Sequence, residues 1–408
     1  MTGGQQGAFG QWLTGEGAMD AGQLAFACAP TGAWAAEEAI FVGSEIYRGS
    51  SYGGLHPLRV PRVSTVMDLA RALGWLPAAR YRTSPRAKPA ALRQWHDPDY
   101  VDALHEAEAM TRAGQPLPEA WRTRFGLGTL SNPAFPEMFR RPATGAGGMI
   151  WAAETLALRA SGTIHVPGGG THHGLRGRAS GFCYLNDVAL GLTALRRAGL
   201  RRLAYVDIDA HHADGVELAF ADDPDVLVIS VHEEGRWPFT GGLSDQGVGN
   251  VFNLPVPRGF NDSEMVEVCE RLIAPRVAAH GAEAIVLQCG ADALEEDPLA
   301  RLSLSNRAHL GVLDALRPLA PRLIVTGGGG YNPWSVARLW TAIWGRLSGR
   351  EMPDRLPPDA EAVLRGVGWN GGARPLPADT LCTTLIDEPR PGPVRDVIRT
   401  RLTLLERR

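Results

Sequence analysis

The stretch LAYVDIDAHHADG, residues 203–215, joins an apolar run to a dense group of polar side chains. Residues 203–206 are uncharged and mostly apolar, as expected for a strand buried inside a sheet. Positions 207–214 then hold three Asp and two His. This change at the end of one strand predicts an open α/β sheet whose functional groups lie at the carboxyl ends of its strands.

Short apolar segments alternate with helical patterns along most of the chain. The predicted strands are 39–44, 163–166, 203–209, 226–232, 284–290 and 323–330, and the predicted helices are about 64–74, 145–160, 186–198, 263–279, 305–317 and 334–348. Strands without clear polar alternation are buried on both faces. The order therefore predicts a mostly parallel sheet with helices on both faces.

The chain has 408 residues, and we expect one catalytic domain over residues 39–408. Residues 1–38 are rich in Gly, Ala and Gln without a sustained period, which predicts a flexible or loosely ordered segment. Residues 351–392 are rich in Pro and Gly and are expected to wrap the surface before a terminal helix within 393–408.

Composition excludes several classes of function. A formal net charge of −3 gives no basic footprint for nucleic acid, and no apolar run is long enough to span a membrane. The five cysteines are scattered without a CxxC pair, which favours a reducing, cytoplasmic location. The phosphate-loop pattern GxxxxGK[ST] is absent, as is the GxSxG serine-hydrolase pattern, and the single lysine, Lys88, lies far from the Gly-rich segments.

Polar clusters follow five of the predicted strands. They are PGGGTHHG (167–174), DIDAHHADG (207–215), HEEGRW (232–237), GADALEEDP (290–298) and GGGGYNP (327–333). Because the carboxyl ends of parallel strands share one edge of a sheet, the five clusters are expected to converge.

Asp209 and His211 can face one cavity because residues two apart in an extended segment point the same way. With Asp292 they would supply two carboxylates and one imidazole, the three-ligand arrangement of a catalytic zinc site, although Fe²⁺ or Co²⁺ would also suit. Taken singly, each carboxylate could cap a turn or helix, and the histidine could be a core residue. The combination favours a metal site.

The adjacent His172 and His173 suit proton transfer near a metal, and Asp207 and Asp214 could orient their rings. Tyr331, after four glycines, could stabilise negative charge on a carbonyl oxygen. Packing is the simpler explanation for any one of these residues. Cys183 is a weaker candidate for a thiol nucleophile, and His212 is expected to be structural.

The motifs PGGGTHHG, SGFCYLND (180–187), YVDIDAHHADGVE (205–217), QCGADAL (288–294) and GGGGY (327–331) together resemble the successive signatures of zinc-dependent histone deacetylases and the bacterial acetoin-utilisation type. The resemblance covers roughly residues 40–345. It implies an arginase-like α/β fold with about eight strands, and a hydrolase that releases acetate from an acetylated lysine.

The resemblance also implies a role for individual residues. Asp209, His211 and Asp292 would hold the zinc, His173 would be the general base and then the acid, and His172 would assist electrostatically. Asp214 would orient His173, Asp207 would orient His172, and Tyr331 would polarise the acyl carbonyl. The tunnel for the lysine methylenes would be lined by Gly181, Phe182, Trp237 and Leu299.

Two further sites follow from the resemblance. A structural potassium would be held by Asp207, by Ser230 and by the main-chain carbonyls of Asp209, His211 and Val231. Arg62, in HPLRVPR (56–62), would lie beside an internal acetate channel.

One rim position departs from the family pattern. Class I enzymes have an Asp there that clamps the substrate backbone, and this chain has Ser131 in TLSNPAF (129–135). The substrate is therefore expected to be an acetylated protein lysine or a small N-acetylated amine. The alternatives are an amidohydrolase acting on acetylpolyamines and a non-catalytic acyl-lysine binder.

Overall fold

A computed structural model describes residues 39–54, 56–368 and 377–408. The strands are β1 (Ile40–Gly43), β2 (Tyr81–Thr83), β3 (Gly162–Val166), β4 (Leu203–Asp207), β5 (Val226–Glu233), β6 (Val251–Val256), β7 (Ala284–Gln288) and β8 (Arg322–Thr326). The helices are α1 (Ile46–Gly49), α2 (Val63–Ala72), α3 (Pro89–Leu92), α4 (Pro98–Arg112), α5 (Glu119–Phe125), α6 (Arg140–Ala157), α7 (Asp187–Arg197), α8 (Asp214–Phe220), α9 (Asp262–Val268), α10 (Ala274–His280), α11 (Asn306–Leu316), α12 (Pro333–Leu347), α13 (Pro358–Arg365), α14 (Thr380–Thr383) and α15 (Asp396–Glu406). The predicted loose segment, residues 1–38, lies outside the described residues.

The eight strands form one sheet in the order β2-β1-β3-β8-β7-β4-β5-β6. Every adjacent pair is parallel. The predicted α/β fold with a parallel sheet of about eight strands is therefore confirmed. The sequence-distant strands β3, β8, β7 and β4 are neighbours in the middle of this sheet.

Alternate residues of the central strands pack against two separate apolar layers. In β4, Ala204 and Val206 belong to one layer, whereas Leu203 and Tyr205 belong to the other. Helices α2, α11 and α12 contribute to the first layer, and α4, α6 and α7 contribute to the second. Helices thus cover both faces, which explains why the strands carry nearly uninterrupted apolar runs.

Two strands were not predicted, and both lie at edges of the sheet. β2 is only three residues long and largely exposed, and β6 contains Asn253 and Pro255. The helix predicted at 263–279 is present as α9 and α10, joined by a π-helical turn at residues 269–273.

The Pro- and Gly-rich region after residue 350 includes α13 and α14, and its side chains Leu356, Leu364 and Leu385 are buried in the first apolar layer. The expected terminal helix is α15, Asp396–Glu406.

Candidate active site

The predicted site residues lie beyond the carboxyl ends of the four central strands. The histidine pair follows β3, the Asp209–His211 segment follows β4, Asp292 follows β7 and Tyr331 follows β8. These strands are consecutive in the sheet. The clusters that the sequence separates by up to 160 residues therefore meet at one rim.

Aspartates shape the backbone after β4. The Asp207 carboxylate accepts the N–H of Asp209 at 2.9 Å, and the Asp209 carboxylate accepts the N–H of His211 at 2.9 Å. Such contacts two residues apart replace strand pairing with a turn. Asp292 accepts the N–H of Ala210 at 3.1 Å, which fastens the segment after β7 to the one after β4.

Asp209, His211 and Asp292 form a compact, buried group. One ligand atom from each lies within 4.8 Å of the others. His211 Nδ1 lies 3.2 Å from Asp209 Oδ1 and 2.9 Å from Asp292 Oδ2. The three side chains that the sequence predicts as metal ligands are thus brought together, and their atoms could share one ion.

The electrostatics of this group favour a positive charge beside the two carboxylates. Burial lowers the pKa of His211, but its contacts with Asp209 and Asp292 outweigh burial and raise that pKa to about 10. Burial and the charge of Asp209 raise the pKa of Asp292 to about 6. Two buried carboxylates without a cation are unfavourable, and a divalent ion would supply the charge that a proton on His211 otherwise provides.

Because Gly329 has no side chain, the carboxylates of Asp292 and Asp209 have room beside it. A Cβ added there would lie 1.9 Å from Asp292 Oδ2 and 2.9 Å from Asp209 Oδ2. The Gly329 N–H also donates to Asp209 Oδ2 at 2.7 Å. The Gly-rich segment after β8 therefore forms one wall of the candidate metal site.

Each histidine of the pair is backed by a carboxylate. His172 Nδ1 lies 2.7 Å from Asp207 Oδ2, and His173 Nδ1 lies 2.7 Å from Asp214 Oδ1. The two Nε2 atoms are 2.9 Å apart. Since each Nδ1 donates its hydrogen to a carboxylate, the contact between the Nε2 atoms holds one further proton.

The surroundings place that proton on His172. Burial lowers the pKa of His172, but the charges of Asp207 and Asp209 outweigh burial and raise it to about 9. Burial and the charge on His172 lower the pKa of His173 to about 3. His173 Nε2 is therefore unprotonated, as a general base requires, and its lone pair accepts the His172 Nε2 hydrogen.

Tyr331 lines the same cavity as His172, His173, Asp209 and His211. Burial and the charges of Asp292 and Asp209 raise the pKa of its phenol, which keeps the O–H group available as a donor. Its backbone N–H donates to Asp297 Oδ2 at 2.6 Å. Asp297 also accepts the N–H of Leu299 at 2.9 Å and therefore connects the Leu299 segment to the start of α12.

Three of the four predicted tunnel residues, Gly181, Phe182 and Trp237, lie beside His173 or Tyr331. The Trp237 ring centroid is 4.6 Å from that of His173, and the Phe182 ring is 6.0 Å from that of Tyr331. Gly181 has a φ of 52°, and a Cβ there would lie 2.3 Å from Trp237. Leu299 is partly buried against the same apolar layer as Phe182.

Arg62 lies behind the Gly-rich segment. Its Nη1 donates to the carbonyls of Gly328 at 2.8 Å and Gly330 at 3.2 Å, and its guanidinium lies 5.2 Å from the Trp340 ring. It lines an internal cavity that continues from the histidine pair, with Tyr47, Tyr52 and Arg141 on its other walls.

The residues expected to hold potassium lie below the histidine pair. Asp207 and Ser230 are paired across β4 and β5, and Val231 follows Ser230 in β5. Ser230 Oγ lies 2.9 Å from His232 Nδ1.

His212 and Cys183 take no direct part in the group. His212 lies 2.8 Å from both Thr240 Oγ1 and Glu217 Oε2, so it fastens the Trp237 segment to α8. Burial raises the pKa of the Cys183 thiol, which disfavours the thiolate that nucleophilic attack would need.

Sequence reasoning missed three residues that support the site: Gln288, Tyr205 and Asp297. Gln288 Nε2 donates to Asp209 Oδ2 at 2.9 Å, and the Tyr205 hydroxyl donates to Asp207 Oδ2. Gln288 and Tyr205 were detectable as polar groups inside apolar strands, at the last position of β7 and the middle of β4. Asp297 gave no comparable signal, because it follows two glutamates in a polar loop.

Within the part of the chain that the structure describes, no helix has the length and apolar character needed to cross a bilayer.

Comparison with known proteins agrees with this geometry. Residues 56–347 match the family described as histone deacetylase domain. The acetoin utilization protein AcuC of Bacillus subtilis is 34% identical over 339 residues, covering 79% of this chain and 85% of that protein. Histone deacetylase RPD3 of Saccharomyces cerevisiae is 32% identical over 331 residues, covering 80% of this chain and 75% of that protein.

The fold has a matching solved structure. The crystal structure of an HDAC homolog from Aquifex aeolicus superposes with a TM-score of 0.85 at 33% identity, covering 90% of this chain and 100% of that one. The resemblance found in the sequence motifs is thus confirmed by matches along most of the chain. The chain belongs to the histone deacetylase family of hydrolases.

Proposed function

We propose that this chain is a metal-dependent deacetylase that hydrolyses N-acetyl-lysine, or a similar N-acetylated primary amine, to the free amine and acetate. The observation that carries the proposal is the buried Asp209–His211–Asp292 group, with ligand atoms within 4.8 Å of one another, beside a carboxylate-backed histidine pair. Neither feature is needed to stabilise the fold, since gathering seven ionisable side chains in a largely buried site is costly.

The donor set fits Zn²⁺, with Fe²⁺ or Co²⁺ as further candidates. Asp209, His211 and Asp292 would hold the ion, which would act as a Lewis acid toward the acetyl carbonyl and the attacking water. Three protein ligands leave an open position, as catalytic sites require.

The chain's own residues would move the protons and orient the substrate. His173 Nε2 takes a proton from the attacking water and then gives it to the leaving amine nitrogen, while Asp214 keeps the ring in place. His172 contributes its positive charge, held by Asp207. The Tyr331 hydroxyl donates to the carbonyl oxygen as negative charge develops there.

The tunnel and channel roles extend the same proposal. Phe182 and Trp237, with Gly181 and Leu299, would enclose the lysine methylenes and exclude water. Arg62 would attract the acetate product into the internal cavity. A potassium ion held by Asp207, Ser230 and the carbonyls of Asp209, His211 and Val231 would fix the backbone beneath the histidine pair.

Four cysteines in the described part of the chain are buried and form no disulfide: Cys183, Cys269, Cys289 and Cys382. Free thiols are in line with a reducing, cytoplasmic location for the enzyme.

A kinetic and metal comparison tests the proposal. The purified protein is assayed with an acetyl-lysine peptide, free acetyl-lysine and acetylated diamines before and after chelation, and its metal content is measured. We expect stoichiometric divalent metal, loss of activity on chelation and recovery on addition of Zn²⁺. Higher turnover of acetylated diamines than of acetyl-lysine would assign the chain to the acetylpolyamine alternative, and metal-loaded protein without any turnover would make it an acyl-lysine binder.

A further inference from the structure

Phe239 combines an unfavourable backbone conformation with an exposed ring. Its φ is 64°, in the left-handed region that large side chains rarely adopt, and the residue is 73% exposed. Local strain persists in folded proteins where packing or function requires the residue. Packing does not account for Phe239, because most of its surface faces solvent.

The chain on both sides of Phe239 is fixed to the candidate active site. Two residues earlier, the Trp237 ring lies 4.6 Å from the His173 ring and 6.5 Å from the His211 ring. One residue later, Thr240 Oγ1 lies 2.8 Å from His212 Nδ1. The Phe239 N–H donates to the Arg236 carbonyl at 2.8 Å and closes a turn. This turn holds Phe239 at the solvent edge of the wall that Trp237 forms.

A second exposed apolar residue adjoins the wall that Phe182 forms. Leu130 is 99% exposed and precedes Ser131, whose carbonyl lies 3.1 Å from His56 Nε2. His56 Nδ1 accepts the N–H of Leu58, so Nε2 carries the hydrogen and donates to Ser131. The His56 ring centroid lies 4.5 Å from that of Phe182. Leu130 is therefore joined to the Phe182 wall through two contacts.

We propose that Phe239 and Leu130 are specificity-determining residues that contact apolar side chains next to the acylated lysine of a polypeptide substrate. This inference rests on the proposed deacetylase function. None of the four residues that mark the two walls at the rim (Leu130, Ser131, Trp237 and Phe239) carries a negative charge, so they offer no ion pair to the cationic chain of a polyamine. A small acylated amine would end inside the tunnel and leave both apolar side chains in water, whereas a flanking apolar residue would bury them.

The experiment compares Phe239→Gly and Phe239→Ala with the unchanged protein on three substrates. Two are peptides of equal length and charge with acetyl-lysine flanked by Leu or by Gly, and the third is a blocked acetyl-lysine amide without neighbours. Leu158→Ala serves as the matched control, because Leu158 is 89% exposed at the end of α6, away from the rim. Melting temperatures are measured for all variants.

We expect the unchanged protein to prefer the Leu-flanked peptide. Both Phe239 variants should lower kcat/KM for that peptide by about tenfold, equivalent to ~1.4 kcal/mol, while the blocked amide changes by less than about twofold. Phe239→Gly should keep or raise the melting temperature because glycine tolerates the positive φ. Leu158→Ala should behave as the unchanged protein.

Equal losses on all three substrates would overturn the inference, as would an unchanged protein that hydrolyses the blocked amide but shows no preference between flanks. A melting temperature lowered by several degrees in Phe239→Gly would show that the ring stabilises the fold. Loss of a dimer in the Phe239 variants would assign the patch to contact between copies of this chain. A complete absence of activity on all three substrates would instead contradict the proposed function itself.

Discussion

His173 is the residue on which the proposed proton transfers depend most directly. His173→Ala should lower kcat by roughly 10²–10⁴-fold, since the general base is lost. Tyr331→Phe should also lower kcat, because it removes the hydroxyl that donates a hydrogen bond to the carbonyl oxygen. Metal content should stay near normal, because neither side chain is among the proposed ligands. Activity assays and metal analysis of the purified variants check this, with His105→Ala, an exposed histidine, as the control. Retained activity in either variant would contradict the mechanism.

Gly329 tests the metal site independently of catalysis. Gly329→Ala should lower the bound metal, because its Cβ would lie 1.9 Å from Asp292 Oδ2 and displace a ligand. Metal content per chain is the measurement. Gly49→Ala is the matched control, since a Cβ there meets nothing within 4 Å. Normal metal content in Gly329→Ala would show that the carboxylates lie elsewhere in solution.

Residues in the dense motifs were easier to identify from the sequence than those that support them. Asp209 and His211 are two residues apart after an apolar run, and this spacing predicts that their side chains point in the same direction. The assignment of His173 as the base came from family resemblance, because two adjacent histidines do not reveal which one faces Asp214. Asp297 could not be identified, since its importance lies in accepting backbone N–H groups from a distant loop.

The start of α12 is the element that positions Tyr331. Asp297 Oδ2 accepts the N–H of Tyr331 at 2.6 Å and of Asn332 at 3.3 Å, and Asn332 caps the helix. Asp297→Ala should leave these buried N–H groups unpaired and cost about 1–3 kcal/mol of stability. It should also lower kcat more than it changes KM, because Tyr331 loses its fixed position. Urea unfolding and steady-state kinetics separate the two effects, and unchanged kcat would leave Asp297 with a purely structural role.

Elements in the interior of the sheet were predicted, and those at its edges were not. Central strands such as β4 and β7 are buried on both faces and carry long apolar runs. β6 has a free edge that accommodates Pro255, and prolines in a segment usually argue against a strand. Helix α4 was missed although its apolar face is buried, because Glu108 interrupts that face and binds the N-terminus of α6.

The stability of the whole molecule should depend on His96 remaining neutral. Its Nδ1 donates to the Arg176 carbonyl at 3.0 Å and its Nε2 accepts the N–H of Asn186 at 3.0 Å. Burial lowers the pKa of His96 to about 4, whereas an unfolded histidine titrates near 6.5. Between these values the unfolded state binds the proton and the folded state does not. The contribution of neutral His96 to the free energy of unfolding is therefore complete above pH 6.5 and is lost as the pH falls toward 4.

The comparison of His96→Gln with the unchanged protein isolates this effect. At neutral pH the variant should be the less stable of the two. As the pH falls from 7 to 4, the difference in free energy of unfolding should narrow by up to roughly 3 kcal/mol, since only the unchanged protein has this group to protonate. Urea titrations at several pH values provide the measurement, and a constant difference would show that His96 keeps its ordinary pKa.

The position of β8 determines when the molecule can become active during its synthesis. β8 spans residues 322–326, yet it lies between β3 and β7 in the middle of the sheet. Until the ribosome has delivered this late strand, the nascent chain has two open strand edges and neither Gly329 nor Tyr331 in place. Unpaired edges invite association with other chains. A fragment released before β8 would thus be inactive and prone to aggregate, so the product of premature termination could not act as a partial enzyme.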